Sequence, residues 1–375
     1  MTTTRRGLLQ TGACGMALLA APAVLRRADA LASSGSVNVF AWPDYIQDNQ
    51  IKAFEKKTGI TINLTTYGSN EQAEAILKSN GGKGFDVIFP TITFGSNYYS
   101  AALLRPIDEA RIANIGNVIE SMLQDSIGLG AVDQGRRMLL PFNWGTEAIT
   151  FNSSILPLND EDISFGVIWN EGIPGKATVR QKSVIMGVGL YLEAIGKVES
   201  NRMLDVYKSE ADARRVWDVC LDFILERKSR IAAFWNTAPE ATSAFKEKGA
   251  FIGQTWDTTG LLLNREDAKW KYRMPKEGGI AWMDGMGILT GAENVDQAYA
   301  FMDALLTPEM GGLMSQNTGY NSTVQGAADF AGEVYRRQFY EVYGSRHLAN
   351  LWWWRPDTPW IAPLRQEYLD RITNG

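Results

Sequence analysis

Between residues 37 and 90 the sequence alternates between short apolar runs and stretches with helical spacing. The runs VNVFAW, ITINLTT and FDVIFP are typical of buried strands. The two stretches between them, QDNQIKAFEKKTG and SNEQAEAILKSNGG, have the spacing of amphipathic helices and end in glycine. A strand–helix–strand–helix–strand order requires a parallel sheet with helices on its faces. Ligands bind such sheets outside the carboxyl ends of the strands, so the pattern predicts an α/β fold with a site there.

The chain is long enough for two lobes of this kind, since its 375 residues are 45% hydrophobic and 21% charged. Two long segments, RRMLLPFNWGTEAITFNSSIL (136–156) and EGGIAWMDGMGIL (277–289), are extended and apolar. We expect the first to leave one lobe and the second to return to it. The predicted first lobe is 31–142 with about 282–320, and the predicted second lobe is about 146–280 with 321–375.

Residues 1–30 are predicted to be an export signal. Arg5 and Arg6 precede an apolar stretch, as in twin-arginine signals, and Ala28-Asp29-Ala30 fits a signal-cleavage site. An ordinary secretory signal is the alternative. We therefore expect a periplasmic protein whose mature chain keeps one cysteine, Cys220, on the apolar side of a helix. No internal disulfide can then form.

Composition also narrows the function. A formal net charge of -5 argues against a nucleic-acid partner. The single histidine, His347, is a poor basis for a catalytic triad or a histidine-built metal site, and no nucleotide-binding or zinc motif is present. We expect no metal, no cofactor and no catalysis. A glycosidase needs only two carboxylates, so this class stays open at this stage.

The run EGGIAWMDGMGIL holds one acid, Asp284, among apolar residues and glycines. A buried carboxylate costs several kcal/mol unless a cation or several donors meet it, and no lysine or arginine lies in this run. The chain also has twelve Trp, several of them at strand ends, and Trp256 and Trp282 each stand close to an acid. A cation over an indole gains roughly 0.5–2 kcal/mol, and a charge-assisted hydrogen bond adds about 1.5–3 kcal/mol. Indole rings with one carboxylate therefore predict a site for an ammonium group.

The segments VNVFAWPDYI, LLPFNWGTEAITFN, IGQTWDTTG, PKEGGIAWMDGMGI and NTGYNST resemble, in this order, the periplasmic polyamine-binding proteins of ABC importers. The resemblance runs from about residue 37 to about residue 325. It implies a type II periplasmic binding fold: two α/β lobes, each a mixed and mostly parallel sheet flanked by helices, with the ligand in the cleft between them. It also implies a receptor without catalytic activity that works with a permease in the inner membrane. We expect a monomer.

The resemblance also implies which residues line the cleft. The aromatic residues after the first strand, the hydroxyl residue after the third, the second-lobe tryptophan, the Trp-x-Asp pair and the tyrosine of the GY turn match positions of the family. They are Trp42, Tyr45, Thr91, Trp256, Trp282, Asp284 and Tyr320. Thr93 stands where the family has an aromatic residue, and Asp44, between Trp42 and Tyr45, is a further candidate for the cleft. In this interpretation, Asp284 binds the amine of the ligand.

One departure from the family changes the predicted ligand. Polyamine receptors carry an acidic pair at the start of a second-lobe helix, whereas KATVRQKSVIMG (176–187) contains no acid but has Arg180 and Lys182. The C-terminal WWWRPDTPW adds Arg355. One acid with nearby bases favours a zwitterion, such as a γ-aminobutyrate-like ω-amino acid or another amino-acid derivative. Putrescine or spermidine stays open, because Asp257, Glu147 or backbone carbonyls could meet a second amine. A sugar-binding protein, and a sensor that reports its ligand to a membrane receptor, are the further alternatives.

Overall fold

The computed structural model describes residues 35–171 and 176–374, so the predicted export signal lies outside the described residues. The strands are β1 Ser36–Ala41, β2 Thr61–Thr66, β3 Val87–Ile88, β4 Leu104–Arg105, β5 Val132–Asp133, β6 Arg136–Arg137, β7 Leu140–Asn152, β8 Lys176–Arg180, β9 Ile231–Trp235, β10 Ala250–Trp256, β11 Trp270–Arg273, β12 Ile280–Leu289, β13 Asn321–Ser322 and β14 Trp352–Trp353. The α-helices are α1 Asp48–Thr58, α2 Asn70–Asn80, α3 Gly95–Ser100, α4 Glu120–Ser126, α5 Val184–Ala194, α6 Glu210–Arg227, α7 Ala238–Lys246, α8 Asp257–Glu266, α9 Val295–Leu305, α10 Pro308–Thr318, α11 Glu333–Val342, α12 Ser345–Ala349 and α13 Ile361–Asn374.

The N-terminal part folds as the alternating pattern predicts. Strand β1 lies between β2 and β3 and is parallel to both. Helix α1 ends at Gly59, which takes a left-handed conformation with φ of 72° that glycine adopts without a Cβ penalty. Helix α2 begins after Ser69, whose hydroxyl accepts a hydrogen bond from the Gln72 N–H. Because β1 and β3 are parallel neighbours, their carboxyl ends lie at the same edge of the sheet.

A second parallel group forms from β8, β9 and β10, with β8 in the centre. Helices α5, α6 and α13 pack on it and form an apolar cluster with residues of β7, β8 and β10. Cys220 of α6 is fully buried in this cluster, as the helical spacing predicts, and burial raises the pKa of its thiol to about 12. This thiol is therefore protonated and part of the core.

Two long antiparallel neighbours, β7 and β12, connect the two groups of strands. The end of β12 pairs with β3, while β7 pairs with β10 on its other side. Both strands are buried along nearly their whole length. The predicted crossing segments are therefore confirmed as strands, and they are antiparallel within an otherwise mostly parallel arrangement.

The apolar residues of the N-terminal group form their own cluster, which includes β1, β3, α1 and α9. Val324 and Ala327 also belong to this cluster, so the chain that follows Tyr320 packs first on this group. Among the described residues, no helix is both long and apolar enough to cross a membrane. Residues 35–171 and 176–374 also hold no cluster of three or more side chains that could bind a metal ion.

Candidate ligand-binding site

The site is built on one face of the crossing strands. Across β7 and β12, Asp284 lies opposite Asn143 and Trp282 lies opposite Gly145. On the other side of β7, Trp256 of β10 lies opposite Glu147. Side chains on a strand alternate between the two faces, and residues directly opposite one another share a face. These side chains therefore form one row, which runs about 13 Å from Asn143 to Glu147 at the usual rise per residue.

Asp284 is at one end of this row, and only 4% of its surface is exposed. The hydroxyl of Tyr45 donates a hydrogen bond to its Oδ2, and the backbone of Thr91 forms a bridge with it. Burial raises the pKa of the Asp284 carboxyl to about 6, while hydrogen bonds from Tyr45 and Thr91 oppose this rise. No cation of the described chain contributes to that pKa. The carboxylate thus has neutral donors but no counter-charge.

Aromatic rings surround this acid. The ring centroid of Tyr45 lies 6.3 Å from that of Trp42 and 6.1 Å from that of Tyr320. Tyr320 in turn lies 5.3 Å from Trp282, edge to face. The indole of Trp282 covers Gly145, where a Cβ would lie 2.5 Å from Trp282 Cζ2. Gly145 is therefore needed for this indole to lie flat on the strand.

Trp42 and Thr91 are held in place by hydrogen bonds of their own. The Trp42 indole N–H donates to the Phe89 carbonyl at 2.9 Å. The backbone N–H of Thr91 donates to Asn70 Oδ1 at 3.1 Å, and Asn70 Nδ2 donates to Thr91 Oγ1 at the same distance. Both residues follow strands of the parallel group, so the predicted position beyond the strand ends is what the structure shows for them.

Arg180 lies at the other end of the row. It forms an ion pair with the fully buried Glu147 and stands over the ring of Trp256, 4.6 Å from the centroid. Ser183 and Gln254 also donate hydrogen bonds to Glu147. A guanidinium has five N–H donors, and the buried Arg180 Nε has no partner among the described residues. Arg180 is therefore charge-balanced but retains a free donor.

Of the two other predicted bases, Lys182 lies close enough to Arg180 for their charges to interact, whereas Arg355 is placed beside a different segment. The Lys182 Nζ lies 5.6 Å from the centroid of the Trp354 ring. Desolvation by the surrounding protein lowers the pKa of its ammonium, and the charges of Arg365 and Arg180 lower it further. The guanidinium of Arg355 lies beside Gly128, whose added Cβ would be 3.3 Å from Nη1. Within the described part of the chain neither Lys182 nor Arg355 forms an ion pair. Arg365, in contrast, pairs with Asp357 at 2.6 Å.

Asp257 is fully engaged by the protein. Its Oδ2 accepts hydrogen bonds from the Thr146 N–H at 3.2 Å, from Asn321 Nδ2 at 2.9 Å and from the Tyr343 hydroxyl at 2.8 Å. Burial raises the pKa of Asp257 to about 6 in spite of these donors. Through these hydrogen bonds the carboxylate links β7 and β13 to α8. Its oxygens are not directed at the row that carries Asp284.

The structure brings most of the predicted residues together in two groups. The acidic group contains Trp42, Tyr45, Thr91, Trp282, Asp284 and Tyr320, and the basic group contains Arg180 and Trp256. Asp44 is exposed next to the acidic group, where its charge contributes to the raised pKa of Tyr320. Thr93 is half-buried on a short helical turn, and no hydrogen bond described for the chain joins it to either group. The sequence did not single out Asn143, Ser183 or Gln254, since only strand register and packing place them here.

The comparison with known proteins agrees with this geometry. The model of the family described as bacterial extracellular solute-binding protein matches residues 49–337. The chain belongs to this family. As a member, it is a solute-binding protein and not an enzyme. The glycosidase alternative is thereby excluded.

The matches to similar proteins extend over nearly the whole of this chain and of each relative. The spermidine/putrescine-binding periplasmic protein of Salmonella typhimurium is 21% identical over 372 residues, which are 99% of this chain and 98% of the relative. The spermidine/putrescine ABC transporter substrate-binding protein of Streptococcus pneumoniae has a TM-score of 0.74 at 20% identity and covers 91% of this chain and 99% of its own. The Atu4243 GABA receptor has a TM-score of 0.65 at 17% identity, over 90% and 96%. These structures confirm the two-lobed α/β fold.

Proposed function

We propose that this solute-binding protein captures a small amine-bearing solute in the periplasm and delivers it to an ABC permease. The observation that carries the proposal is Asp284, a buried carboxylate that has neutral donors and aromatic neighbours but no cation from residues 35–171 or 176–374. An ammonium group supplies the missing counter-charge. It also gains from the rings of Trp42, Tyr320 and Trp282, because a cation over an aromatic face is attracted by the ring quadrupole.

The preferred ligand is a zwitterion, such as a γ-aminobutyrate-like ω-amino acid or another amino-acid derivative. Among the described residues that act on Lys182 the bases outnumber the acids, because Arg180, Lys182 and Arg365 stand against Glu147 and Asp357. The excess positive charge favours an anionic group on the ligand. Along β7, the position opposite Asp284 and the position of Glu147, which pairs with Arg180, are four residues or about 13 Å apart. We propose that a ligand with opposite charges at its ends bridges the two groups.

Putrescine or spermidine is the second candidate, because the relatives named above are spermidine/putrescine-binding proteins. A second amine would need its own acceptor near Arg180. Glu147 already pairs with Arg180, and Asp257 already accepts several hydrogen bonds from the protein. The diamine is therefore less well matched than the zwitterion at this end of the site.

Capture works by closure of the two lobes in this proposal. We propose that the lobes follow the predicted division, 31–142 with about 282–320 and about 146–280 with 321–375, except that the chain just after Tyr320 packs on the first lobe through Val324 and Ala327. Strands β7 and β12 connect the two lobes. The acidic group belongs mainly to the first lobe, and Arg180 and Trp256 belong to the second. A ligand that contacts both groups stabilises the closed form by its differential affinity for that form. We propose that the receptor acts as a monomer after export by the predicted twin-arginine signal.

The test is a thermal-shift panel followed by calorimetric titration. The panel contains 4-aminobutyrate and other ω-amino acids, putrescine, spermidine and neutral sugars. A ligand that binds the folded state raises the melting temperature by mass action. We expect the largest rise with an ω-amino acid and a loss of that rise in Asp284→Ala, with Asp222→Ala on the exposed side of α6 as the control. Preference for diamines would favour the second candidate, and binding of sugars but no amine would refute the proposal.

A further inference from the structure

Asn143 is the buried polar side chain that the site described above does not account for. It lies on β7 opposite Asp284 and is fully buried. Neither its Nδ2 nor its Oδ1 has a hydrogen-bond partner among the described residues. Buried amide groups are almost always paired, because an unpaired one forfeits its hydrogen bonds with water. An asparagine with both amide atoms unpaired is therefore costly where it stands.

The surroundings of Asn143 indicate what its amide is for. Burial raises the pKa of the Tyr45 hydroxyl, and the Asn143 amide lies close enough to that oxygen to oppose the rise as a weak donor, although the pair does not reach the geometry of a full hydrogen bond. The Tyr45 hydroxyl itself donates to Asp284. The Asn143 amide thus adjoins the carboxylate that is proposed to meet the ammonium.

We infer that Asn143 is a specificity-determining residue. It makes the site select an ammonium group that bears N–H donors over a fully N-methylated one. This inference rests on the proposed function. An amide oxygen accepts hydrogen bonds, and a carboxylate accepts several. A primary ammonium offers three N–H donors, which Asp284 and the Asn143 carbonyl oxygen can share. A trimethylammonium group offers none, and it would leave both acceptors unpaired in the closed site.

The aromatic neighbours alone would not make this distinction. Rings of Trp and Tyr bind quaternary ammonium ions well, and such cages are the usual recognition site for them. Discrimination has to come from buried acceptors that only an N–H donor satisfies. A ligand that lacks the donor leaves these acceptors unpaired, and this weakens its binding far more than a small difference in packing does. Asn143 supplies such an acceptor beside Asp284.

The test compares matched ligand pairs on the full chain by calorimetry. Each pair contains a primary amine and its trimethylammonium counterpart: 4-aminobutyrate with 4-(trimethylammonio)butyrate, and putrescine with its hexamethylated form. We expect at least ten-fold tighter binding of the primary amine in the pair that binds. Equal or tighter binding of the methylated partner overturns this inference but leaves the amine receptor intact. Binding of no member of either pair overturns both.

A variant of Asn143 distinguishes hydrogen bonding by its amide from exclusion of the methylated ligand by size alone. Asn143→Leu removes the amide without making room, so we expect the affinity for the primary amine to fall at least ten-fold and that for the methylated partner to stay unchanged. The ligand-free variant should melt at a higher temperature than the wild type, because two unpaired atoms are gone. An unchanged affinity for the primary amine would overturn the role of Asn143.

Asn321→Leu is the matched control for stability. Asn321 is also fully buried, and it pairs with the same strand β7, but both of its amide atoms have hydrogen-bond partners. Its Nδ2 donates to Asp257 at 2.9 Å, and its Oδ1 accepts from the Tyr335 hydroxyl at 2.7 Å. We expect this variant to melt at a lower temperature than the wild type. A lower melting temperature for Asn143→Leu as well would show that Asn143 is structural, and would overturn the inference.

Discussion

Replacing Asp284 by asparagine should make the ligand-free protein more stable at neutral pH while it abolishes amine binding. The side chain keeps its shape and still accepts the hydrogen bond of Tyr45. It loses a charge that the described chain does not balance with any cation. Loss of function with gain of stability is the behaviour expected of a group kept for a ligand.

The magnitude follows from the pKa of Asp284. Burial raises it from 3.8 to about 6, which corresponds to about 3 kcal/mol of destabilisation when the group is ionised in the folded protein. Below pH 3.8 both the folded and the unfolded chain carry the proton, so the cost is absent. Between pH 3.8 and about 6 the folded protein binds the extra proton, and stability falls as the pH rises. Above pH 6 the full cost applies.

The assay is urea unfolding followed by tryptophan fluorescence at pH 4 and pH 7.5. We expect Asp284→Asn to gain up to about 3 kcal/mol at pH 7.5 and almost nothing at pH 4. Asp44→Asn is the control, because an exposed carboxylate should change stability by less than about 0.5 kcal/mol. A variant that is less stable than the wild type at pH 7.5 would refute the reasoning, since the protein would then be using the charge itself.

The remaining predictions concern binding and the basic group. Amine binding should weaken about ten-fold between pH 8 and pH 5, because the Asp284 carboxyl with a pKa of about 6 becomes protonated; a flat pH profile of the dissociation constant in calorimetry would contradict this. Gly145→Ala should weaken binding at least ten-fold, since the added Cβ would clash with the Trp282 indole; unchanged affinity and an unchanged fluorescence spectrum would show that the indole does not need this position. Arg180→Met should destabilise the protein by about 3 kcal/mol or more in urea unfolding, because Glu147 would be left buried without its cation; Glu147→Gln combined with Arg180→Met should recover much of that loss, and failure to recover it would count against the ion pair.

The acidic group of the site could be predicted because its signals are local. Trp42 and Tyr45 stand directly after a recognisable strand, and Trp282 and Asp284 are two residues apart in one apolar run. The alternation of strand residues then places the last two on one face. The basic group was predicted only in part. Arg180 was identified from a missing acidic pair, but its ion pair with Glu147 was not expected.

What the sequence by itself determined is the order of strands and helices, the caps at Gly59 and Ser69, and the presence of one acid without a nearby base. These depend on spacing and on neighbours within a few residues of one another. Tertiary structure alone decided which polar groups are already satisfied. It paired Arg180 with Glu147 and gave Asp257 hydrogen bonds from the protein. It left Asn143 without a partner among the described residues, and it joined Tyr45 to Asp284 across 239 positions of the chain. The physical reason is that hydrogen bonding depends on ångström-scale geometry between distant strands. That geometry is set by sheet register and packing, which no short stretch of sequence encodes.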